Sequence, residues 1–149
     1  MFSLIITIIS IALVAALALA TIYYGGNAFN KGSAEAKASQ LINEGQQING
    51  AIAMAKADVA SGTLATAPGT VAALSPSYLA QVPAGWSGAA VITTDTGVVE
   101  TGNTVSGKIC DAVNLKAGIA TRPANAAAAA DKVYGCTGTG EANTVFYRF

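Results

Sequence analysis

No charged residue occurs in this chain before Lys31. Residues Met1 to Tyr24 read MFSLIITIISIALVAALALATIYY and are almost wholly apolar. A helix rises about 1.5 Å per residue, so this run is long enough to cross the roughly 30 Å hydrocarbon core of a bilayer. Besides the tyrosines, its polar side chains are Ser3, Thr7, Ser10 and Thr21. Their hydroxyls are suited to bonding back to helix carbonyls. A helix that is apolar on every side must be buried in lipid or in protein. The run therefore points to a chain that is anchored and assembled.

The chain has 149 residues. With the apolar run set aside, roughly 120 remain, enough for one modest domain with its own core. Eight Lys and Arg balance eight Asp and Glu. Net charge thus argues neither for nucleic acid nor for an anionic membrane surface as partner. Charged residues make up 11% of the chain, against about 25% in typical soluble domains. A surface poor in charge and rich in Ala and Gly suits close packing against copies of itself. It equally suits an Ala-rich soluble domain.

Three readings fit the N-terminal run. A cleaved secretory signal could use Ala18-Leu19-Ala20 as its cut site, but no Lys or Arg precedes the run and the run is too long. An uncleaved anchor would span, yet only its distal flank carries cations, starting at Lys31. The third reading explains the missing cations: a short basic leader has been removed, and Met1 opens the mature chain. The third is preferred.

Gly25-Gly26-Asn27 follows the run. Two adjacent glycines cost roughly 1 kcal/mol each relative to Ala in a helix interior, so a soft point or helix break is expected at Gly25 and Gly26. Helical character then resumes. Ala34, Ala38, Leu41, Gly45, Ile48, Ile52, Ala55 and Val59 recur at spacings of four and three, one apolar stripe on an amphipathic helix over 28–61. Ser61-Gly62 supplies the stop. Half of the stripe is Gly or Ala, a poor coiled-coil seam. A helix laid across a sheet uses such residues better, because they allow close approach. Residues 1–61 together would make one nearly continuous helix, roughly 90 Å long.

From Thr63 to Gly88, Pro68-Gly69, Ser75-Pro76 and Pro83-Ala84-Gly85 signal turns. Ser77 to Ala80 could form one helical turn, and Trp86 is expected to anchor the start of a sheet spanning 89–149. Ala90–Thr94 and Gly97–Thr101 are β-branched runs joined through Asp95-Thr96, which reads as a hairpin. Val105 either begins a strand or leads into a short helix over 107–117, ended by Gly118. The Ala126–Ala130 run has helical propensity. Thr144 to Phe149 is aromatic and β-branched, a natural final strand. The fold class expected is α+β: a long N-terminal α-helix packed on a small antiparallel sheet, with a disulfide-closed C-terminal region.

That closure rests on the only two cysteines, Cys110 at the start of the short helix and Cys136 just before the last strand. An exported chain whose flanking elements must meet favours a disulfide. Closing about 27 residues would stabilise by roughly 3–4 kcal/mol on the chain-entropy estimate. A metal site lacks further Cys and has no His to complete its shell. A redox pair lacks the C-x-x-C spacing.

Enzyme chemistry finds one decoy. Gly102-Asn103-Thr104-Val105-Ser106-Gly107-Lys108 has the G-x-x-x-x-G-K spacing of a phosphate loop. Ile109 follows where a Mg²⁺-binding hydroxyl belongs, and no parallel βαβ unit surrounds it. With no His in the chain, general-base and triad chemistry lose their commonest player. Asp95, Glu100, Asp111 and Asp131 read as solvated or capping residues, Asp111 favouring a helix dipole. No catalytic, cofactor or metal site is expected.

The whole chain resembles mature type IV pilins, and more specifically the type IVb class of toxin-coregulated pilins and conjugative thin-pilus pilins. The likeness lies in four features. They are the uncharged run Met1–Tyr24, the continuing amphipathic helix, the segment Lys108-Ile109-Cys110-Asp111-Ala112-Val113, and Val133-Tyr134-Gly135-Cys136 leading into the final strand. A mature N-terminal Met, where other type IV pilins usually carry Phe, is similar to the IVb pattern. The resemblance implies a structural subunit, not an enzyme, that polymerises into an extracellular helical filament on the bacterial surface. Residues 1–27 would anchor the subunit in the inner membrane and then form the filament core, through Leu4, Ile5, Ile8, Ile9, Leu13 and Leu17. Residues 28–149 would form the globular head. Met1 would be the processed and N-methylated residue. A prepilin peptidase, an assembly ATPase and a platform protein are the implied partners, beside other copies of the chain. Adhesion, aggregation, motility, DNA uptake and conjugation all reuse such a subunit. One residue departs from the family pattern: Ile5 stands where the family usually carries glutamate, and no carboxylate occurs before Glu35. A carboxylate in lipid is costly unless paired, so Ile5 is physically comfortable, but it leaves the Met1 amine without its usual partner. The alternatives are a minor or tip pilin, a pseudopilin, or a bitopic envelope protein presenting a small binding domain.

Overall fold

The computed structural model describes residues 2–93 and 97–149. Met1 and the expected Asp95-Thr96 turn lie outside the described residues. Two compact units divide the chain, Met1–Ser33 and Ala34–Phe149. The first helix, α1, runs Phe2–Ala60. It stops where the sequence places the stop. Gly62 takes a left-handed φ of 78°, and the Gly62 N–H donates to the Val59 carbonyl, satisfying an acceptor at the open helix end.

The break expected at Gly25 and Gly26 is absent: the helix runs through both. The roughly 1 kcal/mol lost at each glycine falls within a long helix, where every added residue keeps its backbone bond once the helix is nucleated. Beyond the helix's own adjoining backbone, no described atom lies within 4 Å of where a Cβ would stand at either position, so nothing crowds the backbone out of line.

In the second unit, the stripe on α1 packs as its periodicity demands. Every stripe residue except half-buried Val59 is buried, and Ile42 and Ala51 join them. Their partner is an antiparallel sheet of four strands, β1 (Ile92–Thr93), β2 (Val98–Glu100), β3 (Tyr134–Thr139) and β4 (Ala142–Arg148), in the order β1-β2-β4-β3. Register pairs Ile92 with Val99, Val99 with Tyr147, and Tyr134 with Tyr147. One face therefore carries Ile92, Val99, Val145, Tyr147 and Cys136 into the core built on α1. The opposite face carries Val98 and Phe146, covered by Ala126 and Ala129 of the 3₁₀ turn Ala126–Ala129 and by Ile119. Trp86 is buried in the main core, and its Nε1–H donates to the Leu41 carbonyl at 3.4 Å.

The structure corrects the sequence reading in several places. Cys136 does not lie in a lead-in to the last strand; it lies inside a strand of its own, β3, which directly precedes β4 and pairs along its length with it. Two glycines in Tyr134-Gly135-Cys136-Thr137-Gly138-Thr139 weaken the strand signal. A two-residue loop, Gly140-Glu141, joins β3 and β4, with Gly140 at φ 64° as a tight hairpin requires. Strand β1 starts later than expected, at Ile92, β2 is shorter at both ends, and β4 starts earlier, at Ala142. The helical turn expected at Ser77–Ala80 is instead a 3₁₀ turn at Ala72–Leu74, just before the Ser75-Pro76 pair. Val105 makes one isolated bridge to Asn143 and then leads into α2 (Gly107–Ala117). That helix has the expected bounds and ends on left-handed Gly118, φ 68°.

Helix α2 is fastened to β3 twice. Cys110 and Cys136 form the expected disulfide, and both are fully buried. One turn further along α2, on the same face, Asn114 points at the same strand residue. Its Nδ2 donates to the Cys136 carbonyl at 2.9 Å, and the Cys136 N–H donates to Asn114 Oδ1 at 2.7 Å. A side-chain amide thus supplies β3 with the pair of hydrogen bonds a further strand would give. The C-terminal end of α1 has its own tie: the Tyr78 hydroxyl donates to Asp58 Oδ2 at 2.7 Å.

Two outcomes follow from these ties. Replacing Asn114 by Leu leaves a buried N–H and a buried C=O of Cys136 without partners, each costing about 1–3 kcal/mol. Asn114→Leu should therefore lower unfolding stability by about 2–4 kcal/mol in urea titration with the disulfide intact. The hydrogen bond to Asp58 is the largest cause, ahead of burial and the carboxylate's charge, that raises the Tyr78 pKa above its ordinary 10.0. A raised folded pKa means the tie stabilises fully below pH 10.0 and is lost as pH rises through the folded value. Melting temperature should thus fall on strong alkalinisation in the parent chain, and Tyr78→Phe should remove Tyr78's share of that fall. An identical alkaline profile in both chains would exclude this role.

Candidate assembly surface

Every described residue from Phe2 to Ser33 is exposed. The expected core residues Leu4, Ile5, Ile8, Ile9, Leu13 and Leu17 are 53–66% exposed. Ile5, Ile9, Leu13 and Leu17 follow one another at intervals of four, a continuous ridge of the kind helices pack into neighbouring grooves. Leu4 and Ile8 form the start of an adjacent row. Ile6, Ile11, Val14, Leu19 and Ile22 are equally uncovered on the remaining surface. Between the large side chains, Ser10, Ala15 and Ala18 leave a shallow hollow beside Ile11 and Val14. The segment has no polar face, so it offers apolar contact in every direction rather than a single two-helix seam.

Three of its hydroxyls are turned back onto the helix. Thr7 Oγ1 donates to the Leu4 carbonyl, Ser10 Oγ to Ile6 and Thr21 Oγ1 to Ala18, at 2.8–2.9 Å. This removes most of the polarity that would resist an apolar surrounding. Among the described residues, α1 holds the one stretch long and apolar enough to cross a membrane. Met1, the expected processing site, lies outside the described residues.

The phosphate-loop decoy has a structural explanation. Gly107 opens α2, and its N–H faces Glu141 Oε2 at 3.4 Å, so a carboxylate from the β3–β4 loop sits where an anion would bind. Arg122 closes the same corner. It donates to the Gly107 carbonyl, to Asn143 Oδ1 and to the Gly140 carbonyl, and pairs with Asp111. Asp111, just past the first turn of α2, is thus an ion-pair partner. The sequence reading did not single out Arg122, Glu141, Asn143 or Asn114. Only Asn114 carries a signal, four residues beyond a bridged cysteine. No group of three or more His, Cys, Asp or Glu capable of holding a metal occurs among the described residues.

No protein-family model matches the chain, and neither the curated proteins nor the solved structures give a significant match. The uncovered apolar segment and the head described above are therefore the basis for a functional reading.

A charge placed in the middle of the apolar segment tests what surrounds it. Leu13→Lys costs roughly 2.5–3.5 kcal/mol on membrane-insertion scales. Leu13 lies outside the Ala34–Phe149 unit. The substitution should therefore reduce membrane recovery while leaving the melting temperature and the disulfide unchanged. Equal loss of both would show that the segment supports the head's own fold.

Proposed function

We propose that this chain is the repeating subunit of an extracellular helical filament of the type IV pilus kind. The observation that carries the reading is an apolar helix of membrane length, uncovered on every side, in one chain with a disulfide-closed α+β head. The segment anchors the subunit in the inner membrane before assembly and afterwards packs against copies of itself. Burying a Leu, Ile or Val is worth roughly 1.5–3 kcal/mol relative to water. Lipid supplies much of that gain already, so packing and an external motor must supply the transfer into a filament. The contact is heterologous and does not close on itself, which is the symmetry of a fibre. On this reading Met1 is the processed, N-methylated residue. A prepilin peptidase, an assembly ATPase and a platform protein act on the subunit.

Imaging the parent chain, Leu13→Lys and a chain lacking residues 1–27 side by side tests the reading. Filaments are expected from the parent alone, with the shortened chain a folded monomer. Filaments from the shortened chain would mean that the head drives assembly. Isolated particles from all three would favour an envelope protein that presents its head singly.

A further inference from the structure

We propose that Tyr23 and Tyr24 form the collar that fixes how deeply the helix sits in the bilayer, with their rings in the lipid headgroup layer on the side facing the rest of the chain. The proposal rests on the membrane-anchor part of the function proposed above. Tyr23 and Tyr24 are 72% and 75% exposed, and their rings meet edge to face with centroids 5.5 Å apart. No other part of the Met1–Ser33 unit covers them, so the rings are free to meet lipid. A phenol ring with an apolar body and a polar tip is most stable where hydrocarbon gives way to headgroups.

Two lengths support this position. Residues 2–22 contain no charge, and as a helix they extend about 31 Å, the thickness of one hydrocarbon core. Enough uncharged helix therefore precedes the tyrosines to fill the hydrocarbon while their rings sit at its edge. A flanking cation usually marks this boundary, but here the first is Lys31. It lies about 12 Å further along the helix than Tyr23, beyond a headgroup layer that is roughly 5–7 Å deep. Of the residues between, Gly25, Gly26, Asn27, Ala28 and Asn30 are small or polar, and Phe29, 78% exposed and about 9 Å past Tyr23, has no polar tip to hold it among headgroups. The ring pair is left to do so.

The test uses the full chain in dioleoylphosphatidylcholine vesicles whose acyl chains carry bromine either near the glycerol or near the terminal methyl. The parent's single tryptophan, Trp86, supplies a common background to subtract. Added fluorescence from Leu13→Trp should be lost most to the deep bromines, and that from Tyr24→Trp to the shallow ones. Adding Tyr23→Ala and Tyr24→Ala to Leu13→Trp should abolish its preference for deep bromines, because the helix is no longer held at one depth. An unchanged depth profile in that triple variant would overturn the collar, as would deep quenching of Tyr24→Trp. If neither bromine position quenches Leu13→Trp, the membrane anchor itself is wrong, and the collar with it.

Discussion

The closeness with which α1 approaches the sheet governs the rest of the head. At Gly45 an added Cβ would lie 2.8 Å from Tyr147 Cδ2 and 3.1 Å from Trp86 Cζ2, closer than atoms of this kind tolerate. Hydrogen at that position lets both rings lie against the helix backbone. From there the arrangement propagates. Trp86 reaches the Leu41 carbonyl. Tyr147 stacks on Tyr134 with centroids 5.9 Å apart, and the Tyr134 hydroxyl donates to the Lys116 carbonyl of α2. Nearby, the Gly85 N–H donates to Glu44 Oε2, another approach that a side chain would obstruct. Small residues on one helix face thus position the aromatic residues, and through them the second helix.

Sheet edges present unpaired backbone groups and invite strand addition. Both edges of this sheet are occupied from within. On the β1 side, the Ile92 N–H donates to the Gly69 carbonyl and the Val71 N–H to Ala90. On the β3 side, Asn114 pairs with Cys136, and the Gly138 N–H donates to the Pro123 carbonyl. A head closed in this way is poorly suited to adding a strand from a neighbour. The apolar surface of residues 2–24 is the larger invitation to association, and it lies in the other unit.

Legibility in the sequence followed the strength of the repeating pattern. The stripe from Ala34 to Ala55 is readable because about six turns repeat one signal, and the helix at 107–117 because a clean glycine stop ends it. The disulfide was readable because only two cysteines were available. Strand β3 was hidden by Gly135 and Gly138, whose β-propensity is poor; long-range pairing with β4 overrides it. Gly135 is also shaped by its surroundings, since a Cβ there would meet Ile119 and Phe146. The Arg122 corner joins residues far apart in the chain, and no local pattern announces such a meeting. At Gly25 and Gly26 the local propensity penalty predicts a soft point or a break, and of these the break is absent because a long helix absorbs the penalty. For the apolar segment, length and the lack of a polar face were legible from the run of residues alone.

The three hydroxyls bonded back onto α1 have a consequence for what that surface can recognise. Thr7, Ser10 and Thr21 have spent their donors on their own helix. A neighbour that touches this part of the surface, whether an acyl chain or another helix, meets little that is directional. Exchanging one such neighbour for the other breaks few hydrogen bonds and forms few. The surface therefore distinguishes its surroundings by shape and dispersion, and a change of partner along it has little polar barrier in either direction.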